Sequence, residues 1–125
     1  MTENNHWIVQ TAKSKQVPIG FYHGKFIGVT DYSMQDGKVK WRFAWQILSG
    51  QEKDNIASML TERSISPTTL PGRLISGLLN REIKPGDNVK DEIDACIGKT
   101  YVIQVQNGPQ GGKPGVRSVG VPPVM

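Results

Sequence analysis

The residues best suited to chemistry are lysines and arginines in two separated stretches of the chain. Residues 38–53 carry four basic residues against one acidic residue, and residues 99–125 carry three basic residues and no acidic residue. Positive side chains that converge bind a nucleic-acid backbone, because each neutralised phosphate releases condensed counterions. The candidates for phosphate contacts are Lys38, Lys40, Arg42, Lys99, Lys113 and Arg117. The alternative is a solvated strand face whose charges protect a sheet edge from aggregation.

Aromatic residues near the first basic stretch supply the second feature of single-strand binding, rings on which bases stack. The stacking candidates are Tyr32, Trp41 and Tyr22. Residues 31–33 and 35–37 both predict turns, and the Asp36-Gly37 step is the stronger signal. Tyr32 lies in the first of these polar segments, where burial of an aromatic ring is unusual. Trp41 alternates with Phe43 and Trp45, and such alternation is more typical of a buried core. For Trp41 and Trp45, core burial therefore stays open beside base stacking.

The sequence has no pattern typical of an enzyme. Its two histidines, His6 and His23, have no Cys, Asp or Glu at a ligand-like spacing, so we expect no metal and no cofactor. The acidic residues of 87–94 predict a solvated connector, and Cys96 between Ala95 and Ile97 predicts a small buried apolar side chain. We therefore expect no catalytic residue.

Length and composition limit the number of domains, the disulfides and the possible membrane segments. The 125 residues suffice for one domain, and the single cysteine excludes an internal disulfide framework. No apolar run reaches the ~18 residues of a membrane span, and the first residues lack a basic and apolar leader, so we expect a cytoplasmic protein without membrane contact. Residues 1–17 are predicted to form a polar arm and residues 18–125 a single domain.

Periodicity and turn residues predict the elements. Residues 18–30 are rich in aromatic and β-branched residues, with Gly24 and Gly28 indicating a bulge or curvature. Residues 38–48 alternate strictly between apolar and polar, which predicts a strand with one apolar and one basic face. Further strands are predicted at 55–63, 99–106 and 116–121, and residues 107–115 are predicted to be an irregular glycine-rich loop. Leucines at helical spacing predict a short helix that Thr69 caps and Pro71 starts.

The predicted order is three strands, one helix and two strands. This is the connectivity of a mostly β, OB-like five-stranded barrel with one short helix between strands 3 and 4, a fold that binds oligonucleotides or oligosaccharides. In it, the 107–115 loop would overhang strand 2 and bring the two basic stretches to one groove. An SH3-like barrel and a β-sandwich stay open as alternatives.

Four segments carry a resemblance to a known group of proteins: GKFIGVTDYSMQDGKVKWRFAWQI, TTLPGRLISGLLNREIKPGD, IGKTYVIQVQNG and VRSVGV. The chain resembles small OB-fold, single-stranded-DNA-binding-like proteins of phages and mobile elements, many of unknown function, over roughly residues 19–121. The resemblance implies DNA binding in replication or recombination and implies no catalytic residue. The ending PPVM departs from the acidic tail of many single-stranded-DNA-binding proteins, which argues against a bacterial housekeeping role.

Together these observations predict a protein that binds single-stranded nucleic acid, with DNA expected, and with little sequence preference. The alternative is a protein-interaction or assembly module that uses a sheet edge or aromatic face. A homo-oligomer is compatible with either function. An oligosaccharide-binding barrel is less compatible, because neutral polar residues rather than Lys38, Lys40 and Arg42 would then surround the tryptophans.

Overall fold

A computed structural model describes residues 17–108 and 112–122, with the backbone alone for residues 112 and 113. It has five strands and two helices, in the order β1 (Gly20–Ser33), β2 (Val39–Ile47), β3 (Ile56–Thr61), α1 (Leu70–Leu79), α2 (Lys90–Cys96), β4 (Thr100–Gly108) and β5 (Gly112–Gly120). The strands form one antiparallel sheet in the order β3-β2-β1-β4-β5. Within the described residues, hydrogen bonds do not close this sheet into a barrel. The mostly β prediction is confirmed.

β2 follows directly from the alternation in its sequence. Phe43, Trp45 and Ile47 are buried on one face, and Lys40 and Arg42 lie on the other. Both sides of β2 are paired, with β1 and with β3, so its position at the second place in the sheet accounts for its deep apolar face. The predicted strand is confirmed, although Lys38 lies just before it.

β1 is longer than the sequence predicts, and the turn predicted for residues 31–33 is wrong. Asp31, Tyr32 and Ser33 continue the strand because they pair with Trp41, Lys40 and Val39 of β2. The turn predicted for residues 35–37 is confirmed, since the Gly37 N–H donates to the Met34 carbonyl and Gly37 has a φ of 87°. The bulge expected from the glycines is present between Phe26 and Gly28.

The connection between β3 and β4 contains two helices, so the prediction of one helix is wrong. In α1, the Thr69 side chain accepts a hydrogen bond from the Gly72 N–H and Pro71 lies in the first turn, as predicted. The solvated connector predicted for residues 87–94 instead leads into α2. There, Asp91 and Glu92 occupy the first turn, where the helix dipole favours acidic side chains.

The glycine-rich segment is more regular than predicted. β4 continues to Gly108 and β5 begins at Gly112, with Gly108 paired to Gly112 and Gln106 paired to Gly115. Glycine and proline are tolerated here because β5 is the last strand of the sheet and the pairing contains two register shifts. The prediction of an irregular loop over 107–115 is therefore wrong for its described residues.

The core lies between one face of the sheet and α1. Trp45 is fully buried at its centre, with its ring centroid 5.4 Å from that of Phe26 and 6.4 Å from that of Phe43. The Trp45 indole N–H has no hydrogen-bond partner among the described residues. Of the arm predicted for residues 1–17, only Val17 belongs to the described part of the chain, and it is buried.

Candidate functional site

The sheet has a second face that points away from the core, and two of the predicted phosphate contacts, Lys40 and Arg42, lie on it. Residues opposite one another on paired strands share a face, so the register and the burial of Phe43 and Trp45 assign every strand position. We call the side opposite the core the outward face. On β1 and β2 it consists of Phe21, His23, Lys25, Gly28, Thr30, Tyr32, Lys40, Arg42, Ala44 and Gln46.

The charged side chains of the outward face are all basic. Lys25, Lys40 and Arg42 lie on it, and the register places no Asp or Glu at an outward position of the five strands as described. None of these three cations forms an ion pair with a described residue. The outward face therefore carries positive charge that is available to an external anion.

Tyr32, Lys40 and Arg42 form a cluster on this face. Tyr32 pairs directly with Lys40, and Arg42 is two residues further along β2, opposite Thr30. Side chains at such positions start about 5 Å apart when directly opposed and 7–8 Å apart on the diagonal. The Tyr32 side chain is 44% exposed. The cluster thus combines an accessible ring with two cations.

The other end of β1 carries an aromatic and a basic residue that the sequence analysis did not identify. Phe21 is 70% exposed, and His23 and Lys25 follow it at alternate positions on the same face. Among the exposed large apolar residues of the described chain, Phe21 is the most exposed. Because side chains alternate along a strand, residues 21, 23 and 25 could be predicted to share one face of β1. Their sequence did not indicate whether that face packs against the core.

The remaining predicted phosphate contacts lie around the sheet rather than in the cluster. Lys38 is exposed in the β1–β2 turn, and its N–H donates to Asp36 Oδ1. Lys99 is exposed just before β4, where its carbonyl accepts the Phe26 N–H. Arg117 is half-buried at the register shift of β5 beside Gln104. Lys113 lies in β5, and its side chain is outside the described residues.

Arg117 and Arg42 are far apart along the hydrogen-bonded sheet. Gln104 pairs with Phe21, whereas Arg42 pairs with Thr30, nine residues further along β1. This corresponds to about 30 Å along the strand. The sheet nevertheless curls, because a Cβ built on Gly115 of β5 would lie 2.6 Å from Met59 Sδ and 3.2 Å from the Ser58 carbonyl oxygen of β3.

Trp41 and Tyr22 lie on the core side of the sheet, opposite the Tyr32 cluster. Trp41 is half-buried, with its ring edge-on to Phe43 at a centroid distance of 6.5 Å. The Tyr22 hydroxyl donates a 2.7 Å hydrogen bond to the Pro18 carbonyl, and burial raises the pKa of this hydroxyl, with Glu52 adding to the effect. Neither ring shares a surface with Lys40 and Arg42.

A cleft of about 540 Å³ opens on the core side, where the ends of β1 and β2 meet α1 and the segment that leads into α2. We call it the inner cleft. The residues that line the inner cleft include Val29, Asp31, Trp41, Phe43, Ile65, Ile75, Asp87, Lys90, Ile93 and Asp94. It is separate from the outward face, which lies on the other side of the sheet.

The described residues contain no group of three or more His, Cys, Asp or Glu residues placed to hold a metal ion. Cys96 is buried and its thiol donates to the Leu78 carbonyl at 3.5 Å. Burial and the neighbouring Cys96 raise the pKa of Tyr101.

Neither helix is long and apolar enough to cross a membrane.

Comparison with protein-family models and with curated proteins finds no match to the chain.

Proposed function

We propose that the protein binds single-stranded nucleic acid, with DNA as the expected form, through the outward face of its sheet and with little sequence preference. The observation that carries the proposal is the charge of that face. Lys25, Lys40 and Arg42 are its charged residues, and none has an ionic partner in the described structure. Exposed rings at both ends of β1 add stacking platforms, as sequence-tolerant binding requires.

The strand order supports an OB-like barrel as the fold behind this function. In such a barrel β3 and β5 would approach each other once the order β3-β2-β1-β4-β5 curls, and Gly115 already lies against Ser58 and Met59. OB-like barrels bind oligonucleotides on the face that includes strands 2 and 3, and β2 is the strand that carries Lys40 and Arg42. The resemblance to phage and mobile-element proteins is consistent with a role in replication or recombination.

The proposed contacts divide by chemistry. Lys40 and Arg42 bind phosphates, with Lys25 extending the positive surface along β1. Tyr32 and Phe21 stack on bases. The other proposed phosphate contacts lie outside the cluster: Lys38 in the β1–β2 turn, Lys99 just before β4, and Lys113 and Arg117 in β5. Trp41 and Tyr22 are assigned no stacking, because their rings lie on the core side.

The test is fluorescence anisotropy with a labelled oligo-dT of about 20 nucleotides, longer than the ~4–16 nucleotides that one such fold covers. The affinity is expected to fall with salt, with a slope of ~−0.7 for each neutralised phosphate. The double variant Lys40→Glu/Arg42→Glu is expected to lose about 100-fold in affinity at low salt and to flatten the slope by about 1.4, the share of two phosphates.

A matched control keeps the change in net charge and moves it to the other side of the molecule. Arg73 and Lys84 are exposed and form no ion pair with a described residue. Arg73→Glu/Lys84→Glu should therefore weaken binding no more than about threefold, an effect of long-range charge alone. Equal losses in the two double variants, or a salt-independent affinity, would contradict the proposal.

An assembly module is the second candidate. β3 and β5 are the edges of the sheet, and neither pairs through hydrogen bonds with a further strand of the described chain. Such edges can add a strand from another molecule. A stable oligomer in sedimentation experiments, combined with no detectable oligo-dT binding, would favour this function over the first.

A further inference from the structure

The inner cleft has the composition of a site for an apolar anchor. Its floor is formed by the half-buried side chains of Val29, Trp41 and Ile93, and it also borders Phe43 and Ile75, which are fully buried. A concave apolar surface of this size is typical of binding sites, which fall between about 300 and 1,000 Å³. The proposed nucleic-acid contacts use none of these side chains.

The rim of the inner cleft is acidic. Asp31, Asp87 and Asp94 line it together with one basic residue, Lys90, so the lining has an excess of two negative charges. Arg81 and Arg63 pair with two of these carboxylates from outside the lining, so the rim favours a ligand cation where such a pair is weak.

Asp31 is the rim carboxylate with the weakest intramolecular partner. Asp87 accepts hydrogen bonds from Arg81 and from the Lys84 N–H, and Asp94 accepts one from Lys90 at 2.9 Å. Asp31 instead meets Arg63 at 3.8 Å, and these two side chains are 67% and 48% exposed. Water competes strongly with so open a pair, so an external cation can displace Arg63.

Asp31 also lies directly opposite Trp41 in the register of β1 and β2. A carboxylate beside an indole suits a guanidinium or ammonium group, which gains a charge-assisted hydrogen bond from the first and a cation–π contact from the second. The apolar floor of the inner cleft, next to Asp31 and Trp41, can bind an apolar side chain of the same ligand. We infer that the inner cleft binds a segment of a partner protein in which an arginine or lysine neighbours an apolar residue.

The probe is a degenerate octapeptide library on a solid support, with leucine fixed at one central position and each other position set in turn to every amino acid. The labelled full-length protein is expected to select arginine or lysine beside the leucine and to reject aspartate and glutamate. A flat selection, or a selection for acidic residues, overturns the inference. A peptide of the selected sequence then serves for affinity measurements by anisotropy.

Paired variants locate the binding. Ile65 lines the inner cleft and Ile27 does not, yet both side chains are 41% exposed. Ile65→Asp is expected to weaken peptide binding at least about tenfold, the loss of one buried apolar contact, and Ile27→Asp is expected to leave it unchanged. Equal effects of the two substitutions contradict a site in the cleft.

Two further variants should act in opposite directions. Asp31→Asn removes the carboxylate and is expected to weaken peptide binding about fivefold, whereas Arg63→Gln removes its competitor and is expected to strengthen binding about twofold. Asp36→Asn and Arg73→Gln make the same changes of net charge at exposed positions away from the cleft. If the Asp31–Arg63 pair had a purely structural role, both Asp31→Asn and Arg63→Gln would weaken peptide binding.

Amide spectra separate this site from the proposed nucleic-acid site. In a ¹⁵N-labelled protein, the selected peptide is expected to shift the indole N–H signal of Trp41 and not that of the buried Trp45. Oligo-dT affinity is expected to remain unchanged when the peptide is saturating, because the two sites lie on opposite sides of the sheet. Peptide binding without oligo-dT binding would refute the proposed function alone, and the reverse result would refute the cleft site alone.

Discussion

The outward face of the sheet and the helical side of the molecule, residues 62–99, use their basic residues differently. Each ion pair within the described structure takes its cation from the helical side, namely from Arg63, Arg81 or Lys90. Arg81 joins the end of α1 to the segment around α2 by binding both Asp87 and Glu92. On the outward face, Lys25, Lys40 and Arg42 have no such partner.

This difference separates charges that hold the chain together from charges that are available to a ligand. A net charge of +4 is too small to indicate nucleic-acid binding by itself. The distribution of ion pairs is more informative, because within the described residues Arg63, Arg81 and Lys90 have carboxylate partners and Lys25, Lys40 and Arg42 have none. Substitutions of the paired cations should therefore change stability, and substitutions of the outward-face cations should change affinity.

The largest expected effect concerns a glycine on the helical side. A Cβ on Gly72 would lie 1.7 Å from the Ser66 carbonyl oxygen, which is backbone and cannot rotate away. Gly72→Ala should therefore reduce the free energy of unfolding by about 3 kcal/mol, as overpacking does. Urea unfolding followed by circular dichroism measures this loss.

The control is a glycine on the outward face. Gly120 has no atom within 4 Å of a built Cβ, so Gly120→Ala should leave the free energy of unfolding unchanged or raise it by up to about 1 kcal/mol. If the two variants had the same free energy of unfolding, the α1 N-terminus could not be packed tightly against residue 66.

An intermediate effect is expected from the exposed rings of the outward face. Tyr32→Ala and Phe21→Ala should each lower oligo-dT affinity about tenfold, because one stacked base contributes about 1–3 kcal/mol. Tyr32→Phe should retain most of the affinity, since the ring remains. Anisotropy titrations at low salt measure these losses.

Ile65→Ala serves as the control for this series, because its side chain is 41% exposed, close to the 44% of Tyr32, but lies on the helical side. It should leave oligo-dT affinity unchanged. A loss as large as that of Tyr32→Ala would mean that the exposed apolar surface matters in general and that the outward face has no special role.

Local patterns predicted the elements whose signal is contained within one segment. The alternation around Trp41 and Phe43 identified β2, and Thr69 with Pro71 identified the start of α1. In these segments, the period of the apolar residues and the cap chemistry are sufficient, because the information does not depend on a distant partner. The basic residues Lys40 and Arg42 were placed on the correct strand for the same reason.

Predictions failed where the outcome depends on pairing between distant segments. Tyr32 has turn-forming neighbours, but its pairing with Lys40 extends β1 through it. The spacing of Val89, Ile93 and Cys96 fits one face of a helix, yet the acidic residues between them favoured a connector. The exposure of Phe21 depends on which face of β1 the core covers, and the sequence of β1 does not contain that information.

The smallest effect is a pH dependence that should arise on the helical side alone. Hydrogen bonds from Arg81 hold the pKa of Glu92 below its ordinary value of 4.5. The pKa of Asp87 is held below 3.8, first by the Lys84 N–H and then by Arg81. A carboxyl group whose pKa is lower in the folded state stabilises the fold above its unfolded pKa, and this contribution disappears as the pH falls through the folded pKa.

Arg81→Met should therefore lower the melting temperature more at pH 7 than at pH 3, because acid adds protons to the two carboxyl groups and so weakens their interaction with Arg81. The wild-type protein should lose more stability between these two pH values than the variant does. Arg73→Met is the matched control, since Arg73 is an exposed arginine of α1 that pairs with no described carboxylate, and its pH dependence should follow the wild type. Because Arg81 lies on the helical side and not on the outward face, oligo-dT affinity at pH 7 should not respond to Arg81→Met; a loss there would show that the two sides of the molecule are coupled.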